Sequence, residues 1–306
     1  MSAEAGMADL FLYVAMFGVV LLALRALVHR ALLRGLAAPR IAHEVTPADL
    51  DLGRAEVTQV QIAGPEGARL FGWLITPATV SGGPPETPRP AVLVMHGWGA
   101  NAAMMLGLAP PLIAAGYAVM FLDARCHGRS DGARFTSMPR FAEDIAAGLA
   151  HLRAQPGIDP ARIALIGHSV GAGAVLLHAA RARDICAVVS LSAFAHPREV
   201  MQRWMAEHRI PFRGIGQYIL RHVQRVIGAR FDEIAPIHTV TQLRCPVLLV
   251  HGLEDVTAPF SDAERLRAAA PDAQLLPVHG DHDLRDSLHA HEPEIVSFLN
   301  AACLPS

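Results

Sequence analysis

The chain of 306 residues contains no lysine, and all 26 of its basic residues are arginine. This absence excludes a lysine nucleophile, a Schiff-base enzyme and the lysine of a phosphate-binding P-loop. Charged residues of either sign are also scarce, at 18%, and the formal net charge is −2. The chain therefore lacks the basic surface that nucleic-acid binding requires, and we expect no nucleic-acid partner.

Cysteine is rare and carries no metal-binding spacing. The four cysteines are scattered and form no Cys-x-x-Cys pair: Cys126, Cys186, Cys245 and Cys303. The pattern indicates neither a zinc site nor a dense disulfide framework. We expect buried, unreactive thiols in a reducing compartment, and only Cys126 falls in a loop that borders the expected active site.

The N-terminus carries an apolar segment. Leu10 to Leu24 contains no charged residue, and extending the segment to Val28 gives about 19 residues. At about 1.5 Å per residue such a helix is ~28 Å long, close to the ~30 Å hydrocarbon core of a bilayer, if Arg25 extends to the interface. We therefore predict that residues 1–34 form a membrane-anchor helix, with a helix packed on the globular domain as one alternative.

A cleaved signal peptide is the second alternative for this segment. A signal peptide has a basic leader, but Glu4 and Asp9 precede the apolar segment and no basic residue does. Basic residues follow the segment instead, which by the positive-inside rule predicts a single-pass protein with its catalytic domain in the cytoplasm. These residues are Arg25, Arg30, Arg34 and Arg40.

A linker over residues 35–54 is predicted to precede a domain over residues 55–306, in which short apolar runs alternate with helical patterns. The predicted strands are Val57–Ile62, Arg69–Ile75, Ala91–Met95, Ala118–Leu122, Arg162–Ile166, Ala187–Leu191, Val247–Val250 and Gln274–Val278. The helices between them are predicted at Ala103–Ala115, Phe141–Ala154 and Val170–Ala182. Strands that alternate with helices predict an α/β domain with a mostly parallel sheet covered on both faces.

Residues 196–242 break this alternation because they contain no strand-like run. Arg198–Glu207 and Gln217–Ile227 have helical patterns, with Pro211 between them, which predicts a helical cap inserted over the carboxyl edge of the sheet. Apolar side chains of the cap either line an acyl pocket or only pack the cap onto the body. The expected substrate-binding residues are Met201, Trp204, Met205 and Phe212.

The most informative motif is Gly167-His168-Ser169-Val170-Gly171, which reads Gly-x-Ser-x-Gly. A strand-like run precedes it and a helical pattern follows, so Ser169 is expected on a sharp turn with its hydroxyl exposed. A Cβ at Gly167 or Gly171 would crowd the close backbone approach in such a turn. Ser169 is the candidate nucleophile; the alternative is a structural glycine-rich turn.

Two later strands are followed by residues that could activate a serine. Asp255 follows the run Val247–Val250, with Glu254 as the alternative acid. His282 follows the last strand, with His279 as the alternative base. We expect both residues at the carboxyl ends of their strands. The order Ser169, Asp255, His282 is the serine, acid, histidine order of one specific fold.

An oxyanion hole is expected beside the nucleophile. The strand Ala91–Met95 ends in His96-Gly97-Trp98-Gly99, and the backbone N–H of Trp98 could pair with that of Val170. Two such donors would stabilise the negative oxygen of a tetrahedral intermediate.

Together these motifs resemble those of the α/β-hydrolase-fold serine hydrolases, a group that includes esterases, lipases and serine aminopeptidases. The matching segments are His96–Gly99, Asp123–Ser130, Gly167–Gly171, His251–Asp255 and Gly280–His282, and the resemblance covers about residues 55–300. The chain departs from the family at Cys126, where glycine is more usual, and in its N-terminal apolar segment. A serine nucleophile, rather than aspartate, argues against the epoxide hydrolase and dehalogenase branches.

The resemblance implies hydrolysis of small-molecule carboxylic esters through an acyl-serine, with no metal or organic cofactor. His282 would act as general base and Asp255 would orient its imidazole. A serine peptidase or amidase of the same fold is the first alternative. A non-catalytic, membrane-anchored binding protein on this fold is the second.

Overall fold

The fold is built on one eight-stranded sheet, seen in a computed structural model that describes residues 2–78 and 87–304. The strand order is β1-β2-β4-β3-β5-β6-β7-β8; β2 is antiparallel to both neighbours, and the other pairs are parallel. All eight predicted strands are present, and the α/β-hydrolase fold is confirmed. Their bounds are β1 Glu56–Ala63, β2 Arg69–Thr76, β3 Arg89–Met95, β4 Ala118–Leu122, β5 Ile158–His168, β6 Val188–Leu191, β7 Val247–Gly252 and β8 Gln274–Val278.

Eleven α-helices occur in the described residues: α1 Ser2–Gly35, α2 Ala109–Ala114, α3 Met138–Arg153, α4 Val170–Arg181, α5 Pro197–Glu207, α6 Gln217–Ile227, α7 Phe231–Ile234, α8 Pro236–Thr239, α9 Phe260–Ala269, α10 Arg285–Leu288 and α11 Glu292–Cys303. The helix predicted at Ala103–Ala115 is split into a 3₁₀ segment, Ala102–Leu108, and α2. Pro110 and Pro111 lack N–H donors, so they are tolerated only in the first turn of a helix, where α2 begins.

Helices cover both faces of the sheet, and this explains its continuous apolar strands. In β3 the neighbouring residues Val94 and Leu93 are 1% and 0% exposed and belong to opposite layers of the core. Leu93 packs on the side of α3 and α4, whereas Val94 packs on the side of α2 and α11. The carboxyl ends of the parallel strands are thereby held rigidly at one edge, where loops can carry functional side chains.

Residues 196–242 are helical, as predicted, and contain α5 to α8 without a strand. The wide turn Phe212–Gly216 joins α5 to α6. Met205 on α5 is buried, and its Sδ would lie 3.2 Å from a Cβ placed on Gly216, so α5 packs closely against this turn.

Helix α1 stands apart from the body. Its segment Phe11–Gly35 is long and apolar enough to cross a membrane and is not buried in the protein. A membrane anchor and an N-terminal signal sequence both have this character. Near its C-terminal end α1 contacts α6, where Nδ1 of His29 lies 2.8 Å from Nε2 of His222.

The structure contains a disulfide bond between Cys186 and Cys303, and this corrects the expectation of four idle thiols. Cys186 lies just before β6 and Cys303 ends α11, 117 residues later. Spacing along the chain could not reveal this pair, because the packing of α11 against the sheet brings the two residues together. Cys126 and Cys245 are free.

Candidate active site

Ser169 lies at the sharp turn between β5 and α4 predicted for the nucleophile. Its backbone has φ 54° and ψ −116°, a conformation that costs energy in any residue with a side chain. A Cβ on Gly167 would overlap the carbonyl of Gly171, and one on Gly171 would overlap that of His96. The two glycines are therefore required for the approach that presents the serine hydroxyl.

His282 bridges Ser169 and Asp255. Its Nε2 lies 2.9 Å from the Ser169 Oγ, and its Nδ1 lies 2.7 Å from the Asp255 Oδ2. The alternatives are placed elsewhere: His279 is 89% exposed and pairs with Glu254 at 3.5 Å. The structure thus brings together the three residues named first from the sequence and separates the two named second.

The Asp255 carboxylate is buried and fully engaged. Its Oδ1 accepts hydrogen bonds from the backbone N–H groups of Thr257 at 2.9 Å and Ala258 at 2.8 Å. Burial by itself raises the pKa of Asp255, but the contacts with His251 and His282 and the Ala258 N–H outweigh it, so this pKa lies well below its usual value. An ionised Asp255 accepts the Nδ1–H of His282 and leaves Nε2 free to accept the serine proton.

One expected oxyanion donor, the Trp98 N–H, lies in the loop after β3, and the other, the Val170 N–H, lies at the start of α4. In the described part of the chain, the backbone N–H groups of Trp98 and Val170 donate to no other group. The neighbouring Gly99 N–H donates to Nε2 of His127 at 3.1 Å, while Nδ1–H of His127 donates to the Arg125 carbonyl at 2.9 Å. Burial lowers the pKa of His127 to about 4, so a neutral imidazole holds this loop in place.

His168 is a site residue that the sequence analysis missed. Its Nε2–H donates to the His282 carbonyl at 2.8 Å, so it ties the nucleophile turn to the loop of the histidine. Burial lowers the pKa of His168 to about 4, which keeps its ring neutral. In the sequence His168 is only a variable position of Gly-x-Ser-x-Gly, 114 residues from its partner, and no local pattern indicates the bond.

A cavity of about 540 Å³ opens at Ser169 and His282. Its apolar walls come from residues 41–50, the 3₁₀ segment Ala102–Leu108, and Leu284 and Leu288. Glu44, Asp281, Asp283 and Glu292 provide acidic groups.

The four cap residues expected to bind substrate do not line this cavity. Met205 is buried, Met201 packs against the core, Trp204 is 48% exposed and stacks on His208, and Phe212 is 39% exposed. The two methionines therefore pack the cap onto the core, whereas the two aromatic side chains lie on the surface. Part of the cavity wall comes instead from residues 41–50, which were predicted to be a linker.

The chain has relatives among known proteins in both sequence and fold. Residues 86–226 match the family model "Serine aminopeptidase, S33". The chain is 33% identical over 242 residues to the uncharacterized protein Rv2307c of Mycobacterium tuberculosis, an alignment that covers 78% of this chain and 76% of that protein.

Solved structures share the fold. The esterase Pf2001 of Pyrococcus furiosus superposes with a TM-score of 0.66 at 20% identity, covering 87% of this chain and 99% of the esterase. A puromycin-hydrolyzing peptidase of Mycobacterium tuberculosis superposes with a TM-score of 0.65 at 17% identity, covering 85% of this chain and 41% of the peptidase. On its motifs, its sheet and these relatives, the chain belongs to the α/β-hydrolase family of serine hydrolases.

Proposed function

We propose that the protein hydrolyses carboxylic esters through an acyl-serine intermediate formed on Ser169. The observation that carries this proposal is the unbroken hydrogen-bond chain from Ser169 Oγ through His282 to the buried Asp255, at the mouth of a largely apolar cavity. This arrangement can activate an alcohol that is otherwise a weak nucleophile.

In the acylation step a bond forms between Ser169 Oγ and the acyl carbon, the bond to the alkoxy group breaks, and the serine proton passes to the leaving alcohol. His282 Nε2 accepts the hydroxyl proton of Ser169 while Oγ attacks the ester carbonyl carbon, and the negative carbonyl oxygen is stabilised by the N–H groups of Trp98 and Val170. As the tetrahedral intermediate collapses, the bond to the alkoxy group breaks and His282 returns the proton to the leaving alcohol. Asp255 remains ionised and stabilises the imidazolium.

Deacylation repeats these steps with water as nucleophile. His282 deprotonates a water that attacks the acyl-serine, and the carboxylic acid leaves as Ser169 regains its proton. The same triad residues and backbone N–H groups therefore serve both steps.

Ester substrates are favoured by the apolar walls of the cavity and by the esterase among the structural neighbours. A serine peptidase is the second candidate, and the position of Glu44 favours it. Its exposed carboxylate lines the cavity without a hydrogen-bond or ion-pair partner among the described residues, and it could bind the α-ammonium group of an aminoacyl substrate. A non-catalytic binding protein is disfavoured because the three triad groups lie within hydrogen-bond distance.

The decisive experiment compares wild type with Ser169→Ala on nitrophenyl esters of graded chain length and on aminoacyl anilides. We expect ester turnover and fluorophosphonate labelling in the wild type and neither in the variant. Activity retained by Ser169→Ala would contradict the nucleophile assignment. Anilide turnover exceeding ester turnover would establish the peptidase instead.

We also propose that α1 is a retained membrane anchor with the catalytic domain on the cytoplasmic side. The arginines that follow the apolar segment support this orientation. The Cys186–Cys303 bond supports the opposite side, because disulfides persist mainly in oxidising compartments. A C-terminal reporter fusion distinguishes the two, and a reporter active only outside the cytoplasm would overturn our orientation.

A further inference from the structure

Residues 36–50, here called the strap, are fastened to the catalytic body. The Leu36 carbonyl accepts the Thr136 N–H at 3.0 Å. The Asn101 side-chain amide donates to the carbonyls of Ile41 and Ala42 at 3.0 and 3.1 Å. A segment predicted to be a linker is therefore part of the folded domain.

His43 is the deepest attachment of the strap. Its side chain is 6% exposed, and its Nε2 lies 2.8 Å from Oδ2 of the fully buried Asp123. Its ring packs between Phe71 and Trp73, with centroids 5.4 and 4.5 Å away. Burial raises the pKa of Asp123, but the His43 contact and further hydrogen bonds outweigh it and keep that carboxylate ionised.

The strap reaches the cavity on both sides of His43. Pro39 lies over the loop that follows β3 and carries Trp98, with its Cγ 3.2 Å from a Cβ placed on Gly99. Ile41, Val45 and Leu50 then line the cavity together with residues of the 3₁₀ segment Ala102–Leu108. Asn101 links these walls, because its Oδ1 also accepts the Ala103 N–H at 3.1 Å while its amide holds the strap.

The strap is continuous with the membrane-capable helix, since α1 ends at Gly35. Gly35 and Ile41 are six residue steps apart, a separation of at most about 22 Å even when the chain is fully extended. Ile41 lines the cavity, so one part of the cavity wall lies within about 22 Å of the end of α1. With α1 as the membrane anchor proposed above, this places the cavity near the bilayer.

We propose that the strap forms the acyl-chain wall of the active site and that the substrates are single-chain lipid esters taken from the bilayer. This inference rests on the proposed ester hydrolysis and on the proposed membrane anchor α1. Val45 and Leu50 set the acceptable chain length, while the 3₁₀ segment provides a further part of the wall.

The first test changes the width of the cavity in the full-length protein in micelles. Val45→Trp and Leu50→Trp should lower kcat/KM for a long-chain nitrophenyl ester relative to the acetate ester at least about tenfold, and Val45→Ala should shift the ratio the other way. Val57→Trp is the matched control, since Val45 and Val57 are both 42% exposed and Val57 lies on β1 away from the cavity. If the ratio of long-chain to acetate kcat/KM in all three strap variants equals that of Val57→Trp, the role of the strap is overturned.

The second test concerns the source of the substrate. Wild-type protein in phosphatidylcholine vesicles is given nitrophenyl palmitate either in the same vesicles or in separate ones. Faster turnover in the shared vesicles supports uptake from the bilayer, and equal initial rates overturn it. If the protein neither reacts with a fluorophosphonate nor hydrolyses nitrophenyl acetate, the proposed ester hydrolysis itself is contradicted. The two failures are therefore distinguishable.

Discussion

The Nε2 atom of His168 lies 2.8 Å from the carbonyl oxygen of His282. The residue before the proposed nucleophile thus positions the backbone that carries the proposed base. Because Ser169 follows His168 directly, one bond fixes the nucleophile turn and the histidine loop relative to each other.

Replacing His168 tests this positioning role. His168→Ala should lower kcat for a nitrophenyl ester about 10–100-fold, since a shift of about 1 Å in a reacting group has an effect of this size. His168→Asn offers an N–H donor and should recover part of the loss. Steady-state kinetics with the short-chain ester should show a lower kcat with little change in KM; a wild-type kcat in His168→Ala would contradict the role.

Asp255 should matter through the tautomer of His282. Asp255→Asn keeps the size of the side chain but presents an amide to Nδ1, so the histidine no longer holds its proton on the side away from Ser169. We expect a fall of about 10⁴-fold in kcat near neutral pH. Glu254→Gln, which alters the alternative acid, serves as control and should retain most activity.

Much of this architecture could be predicted from the sequence, because a buried parallel strand is a short run of apolar residues whatever its partners. For the same reason Ser169, Asp255 and His282 could be placed, since each follows such a run. The 2.8 Å bond of His168, the Cys186–Cys303 pair and the burial of His43 depend on contacts between distant parts of the chain. The apolar character of Met205 and Trp204 is compatible with a buried side chain or with one on an apolar surface. It does not indicate which cavity the side chain faces.

Trp204 offers a direct check on the location of the substrate wall. Its ring is 48% exposed, stacks on His208 at 4.2 Å between centroids and does not line the cavity. Trp204→Ala should therefore change the chain-length profile of ester hydrolysis by less than about twofold, as expected for a surface position. A strong loss of activity on long-chain esters alone would restore the cap as a substrate-binding element.

The disulfide should stabilise the oxidised protein. Removing a bond that closes a loop of this length typically costs about 2–4 kcal/mol, which lowers the Tm of a domain this size by roughly 4–16 °C. Cys303→Ser should show this decrease in thermal unfolding of the purified, oxidised protein, and a reductant should produce it in the wild type. Cys245→Ser removes a free thiol and is the control; equal Tm values for both variants would contradict a stabilising bond.

The buried His127 should make the protein sensitive to acid. Its pKa in the folded state is about 4, below the ~6.5 of an unfolded histidine, because burial disfavours the charged ring. Since the unfolded chain binds the proton more tightly, protonation favours unfolding. The stability that the neutral His127 ring gives to the folded state is therefore fully present above pH 6.5 and is lost as pH falls towards 4. The difference of about 2.5 pKa units corresponds to at most about 3 kcal/mol. His127→Gln cannot be protonated, so its unfolding free energy should decline less than that of the wild type between pH 7 and 4.5. His279→Gln, at an 89% exposed position, should decline as steeply as the wild type; identical slopes in all three proteins would show that His127 is not the acid-sensitive group.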